Sequence, residues 1–414
     1  MDKMAQIYDV IVVGGGPTGL SLAAMLAQRG VTVACLDRDQ PAKQLQPHFD
    51  GRTTALAAAA KASLDAAGVW AHLAAKACPI NDIRVTDQGA SRHLHFDHQE
   101  VGEPFGWIIE NRFLRHALYQ RVAALPLITH LTGAEVVALA ADATTAQVTY
   151  KTGKAGKIKT IAGRLIVGAD GKQSFCRQAA GISWQGHEYW QSALVCTVTH
   201  TLPHHNIAIE DFLPGGPIAS LPMLAGPMQA GRGRGATHRS SIVWSDYRAT
   251  ASLMQSMPEA EFCALLERHL APLLGRIALE GARFVYPLGI YHAARYTAPR
   301  LVLVGEAAHA MHPIAGQGFN LSMRDNLCLA EQVAWAQGLG LDCGSHAVLA
   351  RYARARRPDN LLMLAATDGL DRFFSNHVPG LALLRQTGLA AVNALPPLKR
   401  FFMWAAMGQL AVGR

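Results

Sequence analysis

The chain has no CxxC pair, and its seven cysteines (35, 78, 176, 196, 263, 328 and 343) are odd in number and widely spaced. That pattern excludes a disulfide framework and a thiolate zinc site, and it fits reduced thiols in a reducing compartment. Charged residues are scarce at 16%, while half of the residues are hydrophobic. A chain this apolar can bury a large core, which excludes intrinsic disorder. No run of 18 uninterrupted apolar residues occurs, so no spanning helix is expected. Acidic and polar residues interrupt the first nine positions, and no signal peptide is recognisable there. Repeats and low-complexity segments are also lacking. The formal charge is +8, but the basic residues are spread out with few aromatics between them. Nucleic acid is therefore not an expected partner, whereas phosphate-bearing cofactors and anionic lipid are compatible with the charge.

What is present starts at residue 8, with YDVIVVGGGPTGLSLAAMLAQRGVTVACLDRD. Val10 to Val13 suits a strand buried on both faces. The turn Gly14-x-Gly16-x-x-Gly19 follows, then small and apolar positions at helical spacing, Gly30, and a second strand closed by Asp37. Gly14 permits the tight turn, Gly16 lets backbone approach a pyrophosphate, and Gly19 lets the helix pack on the strand. The helix N-terminus offers free N–H groups to phosphate, and a carboxylate about 20 residues on can bind ribose hydroxyls. This is a dinucleotide site. The motif alone leaves FAD and NAD both open.

With 414 residues, two or three lobes are expected. Ala57 to Ala67 reads as a helix, 80–100 as a strand pair, and 111–124 as an amphipathic helix. Strand-like stretches follow at 133–139 and 146–151, with TGKAGKIK as a hairpin turn. RLIVGADG is another buried run, ending at Asp170-Gly171. From 184 to 290, short alternating runs broken by Pro and Gly indicate an antiparallel sheet. RLVLVG at 300–305 resumes the parallel-sheet pattern, and helices fill the rest. The dinucleotide lobe is thus discontinuous, with 1–80, 100–183 and 295–360 on one side of a β-rich insertion made of 81–99 and 184–294. Residues 361–414 form C-terminal helices. The fold class expected is α/β.

Three fingerprints occur in order: GGGPTG at 14–19, GADG at 168–171 and GEAAHAMHPIAGQGFN at 305–320. Together they resemble the FAD-dependent aromatic monooxygenases of the p-hydroxybenzoate hydroxylase fold, over the chain to about residue 330. Within that family, DGRTTAL (50–56), ENRFLRHAL (110–118), FLPGGPIASLP (212–222), HPIAGQGFNLSMRD (312–325) and LPPLKRFF (395–402) are similar to the ubiquinone-biosynthesis hydroxylases. The resemblance implies a discontinuous Rossmann-like FAD lobe with an inserted β-rich substrate lobe. It also implies NADPH or NADH as transient reductant, and a flavin C4a-hydroperoxide that attacks an electron-rich ring.

By the same resemblance, the turn Gly14, Gly16, Pro17, Thr18 and Gly19 approaches the FAD pyrophosphate, and Asp37 with Arg38 meets the adenosine side. Arg52 and Arg112 lie near the phosphates and ribityl chain, where forked guanidinium donors are suited. Val136 contacts adenine through its backbone. Asp170 and Gly171 belong to a motif associated with both FAD and the nicotinamide donor. Glu306 reaches the ribityl hydroxyls, Pro313 lines the substrate side of the flavin, and Gly316, Gln317, Gly318 and Asn320 sit at its pyrimidine edge. One position departs from the family, which usually has aspartate where this chain has Glu306. The expectation is that FAD is retained, with weaker or reversible binding left open.

Small residues surround the third fingerprint because a flat ring must lie against backbone. His309 and His312, which first suggest a metal site or an acid–base pair, have no third ligand at suitable spacing and read as packed or hydrogen-bonded histidines. No metal is expected, and no protein side chain is singled out as catalytic. GRGRGATHR at 231–239 could meet a 2′-phosphate or a membrane, and reads first as a solvated loop. Trp184, Trp190 and Trp244 could line an aromatic pocket, or simply pack. The tail places Leu381, Leu384, Leu389, Val392 and Leu395 near one face and Lys399-Arg400 beside Phe401, Phe402, Met403 and Trp404. It fits either a membrane-surface or partner-binding element or a helical pair covering the core. The expected substrate is a polyprenyl phenol or quinol, with O₂. The expected location is cytoplasmic, with peripheral contact at the inner membrane face left open. Three alternatives remain at this level: a soluble phenol hydroxylase, a flavin-dependent polyprenyl reductase, and a non-catalytic FAD-bearing scaffold.

Overall fold

The computed structural model describes residues 7–45, 51–88, 93–153, 156–226, 238–311, 316–375, 385, 388 and 391–409. Its frame is set by parallel pairing. Ile7–Val13 is flanked by Val33–Asp37 (Val10↔Val33) and by Lys157–Gly168 (Val10↔Leu165). Leu301–Leu303 and Ile128–Thr132 extend the sheet on either side, both parallel. A hairpin, Ala134–Ala141 with Ala146–Thr152, runs antiparallel onto the long strand, and Thr297–Ala298 closes one edge. Leu20 and Met25 of the helix Pro17–Ala27, Leu114 and Leu118 of Asn111–Ala123, and Met323 and Leu329 of Gln317–Gly338 are buried with the strands in one core. Because the strands are parallel, Val13, Asp37, Gly168 and Leu303 end along the same edge. Ligands bind at that edge of an open α/β sheet.

A second sheet of eight strands has the order His309–Ala310, Ile277–Ala293, Trp184–His200, His238–Tyr247, Gly216–Met223, Ile207–Leu213, Asp82–Asp87, Leu94–Asp97 among the described residues. It is antiparallel except where Ile207–Leu213 meets Asp82–Asp87. A small antiparallel sheet joins Thr53–Ala57, Gly106–Glu110 and Ala77–Ile80. All seven cysteines are free thiols. No described helix is long and apolar enough to cross a membrane.

The antiparallel sheet expected over 184–290 is present, with one addition. Two helices, Arg248–Ser256 and Glu259–Leu274, interrupt it. Phe262, Leu266, Leu270 and Leu274 recur every four residues after Pro258, and the helix stops at Gly275 (φ 73°). That periodicity belongs to a helix face, and it packs on Leu194, Cys196, Ile242 and Trp244. The neighbours of those residues along each strand, Ala193, Val195, Val243 and Ser245, point to the other side of the sheet and line a cavity. Phe262 is fully buried in this outer layer. Phe262→Ala is expected to lower stability by about 3–5 kcal/mol in denaturant titration, the cost of a large cavity. The flavin absorbance of the folded fraction should be unchanged, because the cavity lies across the sheet.

Candidate active site

The first site element is the turn after Ile7–Val13. Gly14 has φ 113°, and a side chain there would run into the Ala169 carbonyl; one at Gly19 would run into the Gly14 carbonyl. These close approaches seat the GADG loop and the first helix against the strand. Gly16 differs, since nothing lies within 4 Å of where its β-carbon would be. The helix Pro17–Ala27 begins there with no side-chain cap and no acidic residue in its first turn. Open space before unpaired N–H groups fits a pyrophosphate. Asp37 ends the next strand, 6% exposed. Burial raises its carboxyl above the ordinary range, only partly countered by the Asp39 N–H. Among the described residues its Oδ2 receives a long bond, 3.4 Å, from Tyr119 Oη. Such a carboxylate can accept ribose hydroxyls.

The second element is a cavity of about 500 Å³ between the glycine-rich loops and the antiparallel sheet. Arg52, Asn111, Glu306, Gly316, Gln317 and Asn320 line one side. Gly316 is left-handed (φ 62°) and starts the helix Gln317–Gly338, which has neither a side-chain cap nor an acid in its first turn. That N-terminus can stabilise negative charge at a flavin's pyrimidine edge. Gly318 leaves open space, as Gly16 does. The described residues therefore fit FAD at both ends.

Polar side chains of the Gln317–Gly338 helix bind four separate segments. Asn320 Oδ1 accepts the Ala57 N–H at 2.9 Å while its Nδ2 donates to the Ala55 carbonyl at 3.1 Å. Asp325 accepts the Gly305 N–H at 3.1 Å, His309 Nε2 at 2.6 Å, Arg356 Nε at 2.8 Å and Asn360 Nδ2 at 3.0 Å. Asn326 donates to the Thr18 carbonyl at 2.8 Å. Burial alone would raise the Asp325 carboxyl, but His309 and Arg356 outweigh it and hold it well below the usual range. His309 is 2% exposed and engaged with Asp325, as expected of a hydrogen-bonded histidine. His292, in the same network through Tyr296 Oη at 3.0 Å, is pushed down to about 4 by burial and by nearby Arg357.

Other expected residues have other surroundings. Asp170 accepts Ser174 Oγ at 2.5 Å and the Cys176 N–H at 3.0 Å, capping its own loop; Gly171 beside it has φ 79°. Arg112 pairs with Glu110 at 2.7 Å and faces a smaller cavity of about 180 Å³, shared with Lys76 and Arg239. Arg38 is exposed, and Val136 is half-buried opposite Tyr150. Pro313, His312, residues 231–237 of GRGRGATHR, and Leu381, Leu384 and Leu389 lie outside the described residues. None of the three tryptophans lines the large cavity. Trp184 stacks on Tyr291 and Arg177, Trp244 is buried against His269, and Trp190 is 85% exposed. Arg177 donates to the Ala307 carbonyl in the third fingerprint at 3.1 Å and to the Lys172 carbonyl just after the second at 2.9 Å.

Residues 7–363 match the family described as FAD binding domain. The chain is 44% identical over its full length to the ubiquinone hydroxylase UbiL of Rhodospirillum rubrum, covering 91% of that protein. It is 33% identical to the 3-demethoxyubiquinol 3-hydroxylase of Escherichia coli, covering 97% of this chain and 99% of that one. Among solved structures it resembles the p-nitrophenol 4-monooxygenase PnpA of Pseudomonas putida (TM-score 0.78, 20% identity, 99% of this chain and 100% of that one). The chain belongs to this FAD-binding family, its fold is that of the FAD-dependent monooxygenases, and FAD is its cofactor.

Two outcomes follow from this geometry. Asp325→Asn leaves Arg356 and His309 facing a neutral amide in a buried site, and should cost about 3–5 kcal/mol near neutral pH. The Asp325 pKa is depressed by folding, so its contribution is complete above the unfolded value of about 3.9 and is lost as pH falls below it. The stability gap between variant and parent, followed by denaturant titration at several pH values, should therefore narrow in acid. For Glu306, replacement by Asp should keep or tighten FAD affinity, and replacement by Ala should loosen it by about 1–3 kcal/mol in fluorescence titration. An Ala variant equal to the parent would show that Glu306 makes no contact with FAD.

Proposed function

We propose that the protein hydroxylates the aromatic ring of a polyprenyl phenol or quinol precursor in ubiquinone biosynthesis, using O₂ and either NADH or NADPH. The observation that carries this reading is the cavity's wall. The antiparallel sheet presents Ala193, Ala208 and Ala219 where larger side chains would fill the space, and Ala55, Ala57 and Ala406 contribute from other sides. Such a volume suits one drug-sized ligand in an apolar surround. Among the cavity residues from this sheet, Glu210, Ser245 and Tyr286 carry the polar side chains. They are the groups available to hold ring oxygens, while the aliphatic lining keeps water away from the reacting carbon. Bound FAD would supply the redox and oxygen chemistry, with the nicotinamide as reductant. Backbone at Gly316 and Gln317 orients the ring system, and Arg52, Asn111 and Glu306 supply polar contacts along the cavity edge. Support also comes from the full-length likeness to the two ubiquinone-pathway hydroxylases.

A polyprenyl chain gains about 0.8 kcal/mol per buried carbon and so resides in a bilayer. We extend the reading accordingly to a peripheral contact with the inner membrane face through the helix Pro396–Ala406. Phe401, Phe402 and Trp404 on that helix are exposed. Incubation with a polyprenyl phenol, NADPH and ¹⁸O₂ should give a product carrying one ¹⁸O on the ring. A product with a saturated prenyl double bond and no ¹⁸O would instead assign a reductase.

A further inference from the structure

The cavity is polarised along the sheet. Tyr286 and Ser245, both opposite Ala193, lie at one end, Glu210 lies between, and Ile83 and Ala208 pair at the other end beside Leu221, Phe105 and Ala406. A ring with polar oxygens suits the first end and an isoprenoid suits the second. A cavity of about 500 Å³ encloses one drug-sized ligand and not a long prenyl chain as well. The chain must leave through the apolar end, where the wall includes Ala406 of the Pro396–Ala406 helix.

That helix has two different faces. Met403 and Met407 at its inner side are almost fully buried against Ile80, Phe96, Phe105 and Ile108. On the outside, Leu398, Phe401, Phe402 and Trp404 are 37–52% exposed, and Arg400 is exposed among them. The helix is attached through Lys399 Nζ to Glu100 at 2.6 Å, Gln409 Nε2 to Glu103 at 3.0 Å, and the Ala59 N–H to the Met407 carbonyl at 3.1 Å. Two of these links lie at the surface, where such pairs hold weakly. An aromatic outer face with an exposed cation, on a protein of charge +8, is complementary to anionic lipid rather than to water.

We propose that the Pro396–Ala406 helix is the substrate portal. It rests on an anionic bilayer with Phe401, Phe402 and Trp404, and it swings from the Glu100 contact to admit the prenyl chain past Ala406. This rests on the hydroxylase reading above, so its test needs two substrates. Lys399→Cys and Glu100→Cys in a Cys328→Ser background can be joined by a short bismaleimide, since the other native thiols are buried. Turnover is then compared for a polyprenyl phenol in phosphatidylglycerol-containing vesicles and for the same phenol with a methyl group in place of the chain.

Bridging should lower kcat/KM at least tenfold for the polyprenyl phenol and leave the methyl phenol and FAD content unchanged. Equal turnover of the polyprenyl phenol before and after bridging would overturn the portal, as would equal loss with both substrates. If the unbridged enzyme hydroxylates neither substrate, the hydroxylase reading falls and the portal with it. Separately, Arg400→Glu with Phe401→Ser should weaken vesicle sedimentation at least tenfold. Unchanged sedimentation of a folded variant would remove the bilayer as the occupant of this face, leaving a protein partner.

Discussion

The site depends on one buried carboxylate. Asp325 is fully enclosed and accepts hydrogen bonds from a backbone N–H, an imidazole, a guanidinium and an amide. A buried charge is tolerated only when paired and hydrogen-bonded, and these four partners meet that need from two separate parts of the chain. Gly305 and His309 come from the loop carrying Glu306, while Arg356 and Asn360 come from the helix His346–Phe374. Removing any one leaves the carboxylate under-satisfied, so the loop cannot drift without a large penalty. The position of Glu306 at the cavity edge is thus fixed by a residue that does not line the cavity.

Neighbouring side chains extend the same constraint. Asn320 and Asn326 flank Asp325 on one helix and bind Ala55, Ala57 and Thr18. The Gln317–Gly338 helix therefore ties the strand Thr53–Ala57, the Gly14–Gly19 turn and the Gly305 loop to one rigid element. A dinucleotide that lies extended across a sheet edge needs its distant contacts held in mutual register. Short loops alone would not provide that, because each is anchored only at its ends. A helix with buried polar side chains does so, and its uncapped N-terminus remains available to the ligand. The arrangement gives the helix a structural task on one face and an electrostatic task at its end.

Much of this was legible in the sequence. The strand–turn–helix at 8–30, the carboxylate at Asp37 and the glycines before residue 318 each follow from local spacing and backbone geometry. The antiparallel texture of the middle segment was also readable, because alternation is a local property. The alternating runs on either side mask the helices Arg248–Ser256 and Glu259–Leu274, although Phe262, Leu266, Leu270 and Leu274 announce the second by their period. The Asp325 network is a different case. Arg356 and Asn360 lie 31 and 35 residues from Asp325, and a single sequence does not pair distant polar residues. The available hint was the polar run Arg324-Asp325-Asn326 between the apolar Met323 and Leu327, which signals a partner but not which one. Arg112 teaches the converse: a motif can indicate a residue's type and element while its guanidinium turns to Glu110.

The cavity raises a last point about what side-chain size does in this fold. A sheet face that opposes a packed layer normally carries Val, Ile or Leu, and the outer face of this sheet does, with Leu194, Ile218 and Ile242 against the helix Glu259–Leu274. On the inner face the register places Ala193 beside Ser245, and Ala219 beside Val243 and Glu210. The backbone is continuous across both faces, so the difference between a core and a binding site lies in a few methyl and methylene groups. Filling that space with apolar side chains would stabilise the fold by burial. Leaving it open forgoes this stabilisation, and the outer layer of helix and sheet is well packed enough to keep the lobe folded without it. The unfilled volume is then free to select a ligand by shape, with Ser245 and Tyr286 at one end, Glu210 between, and aliphatic groups at the other end.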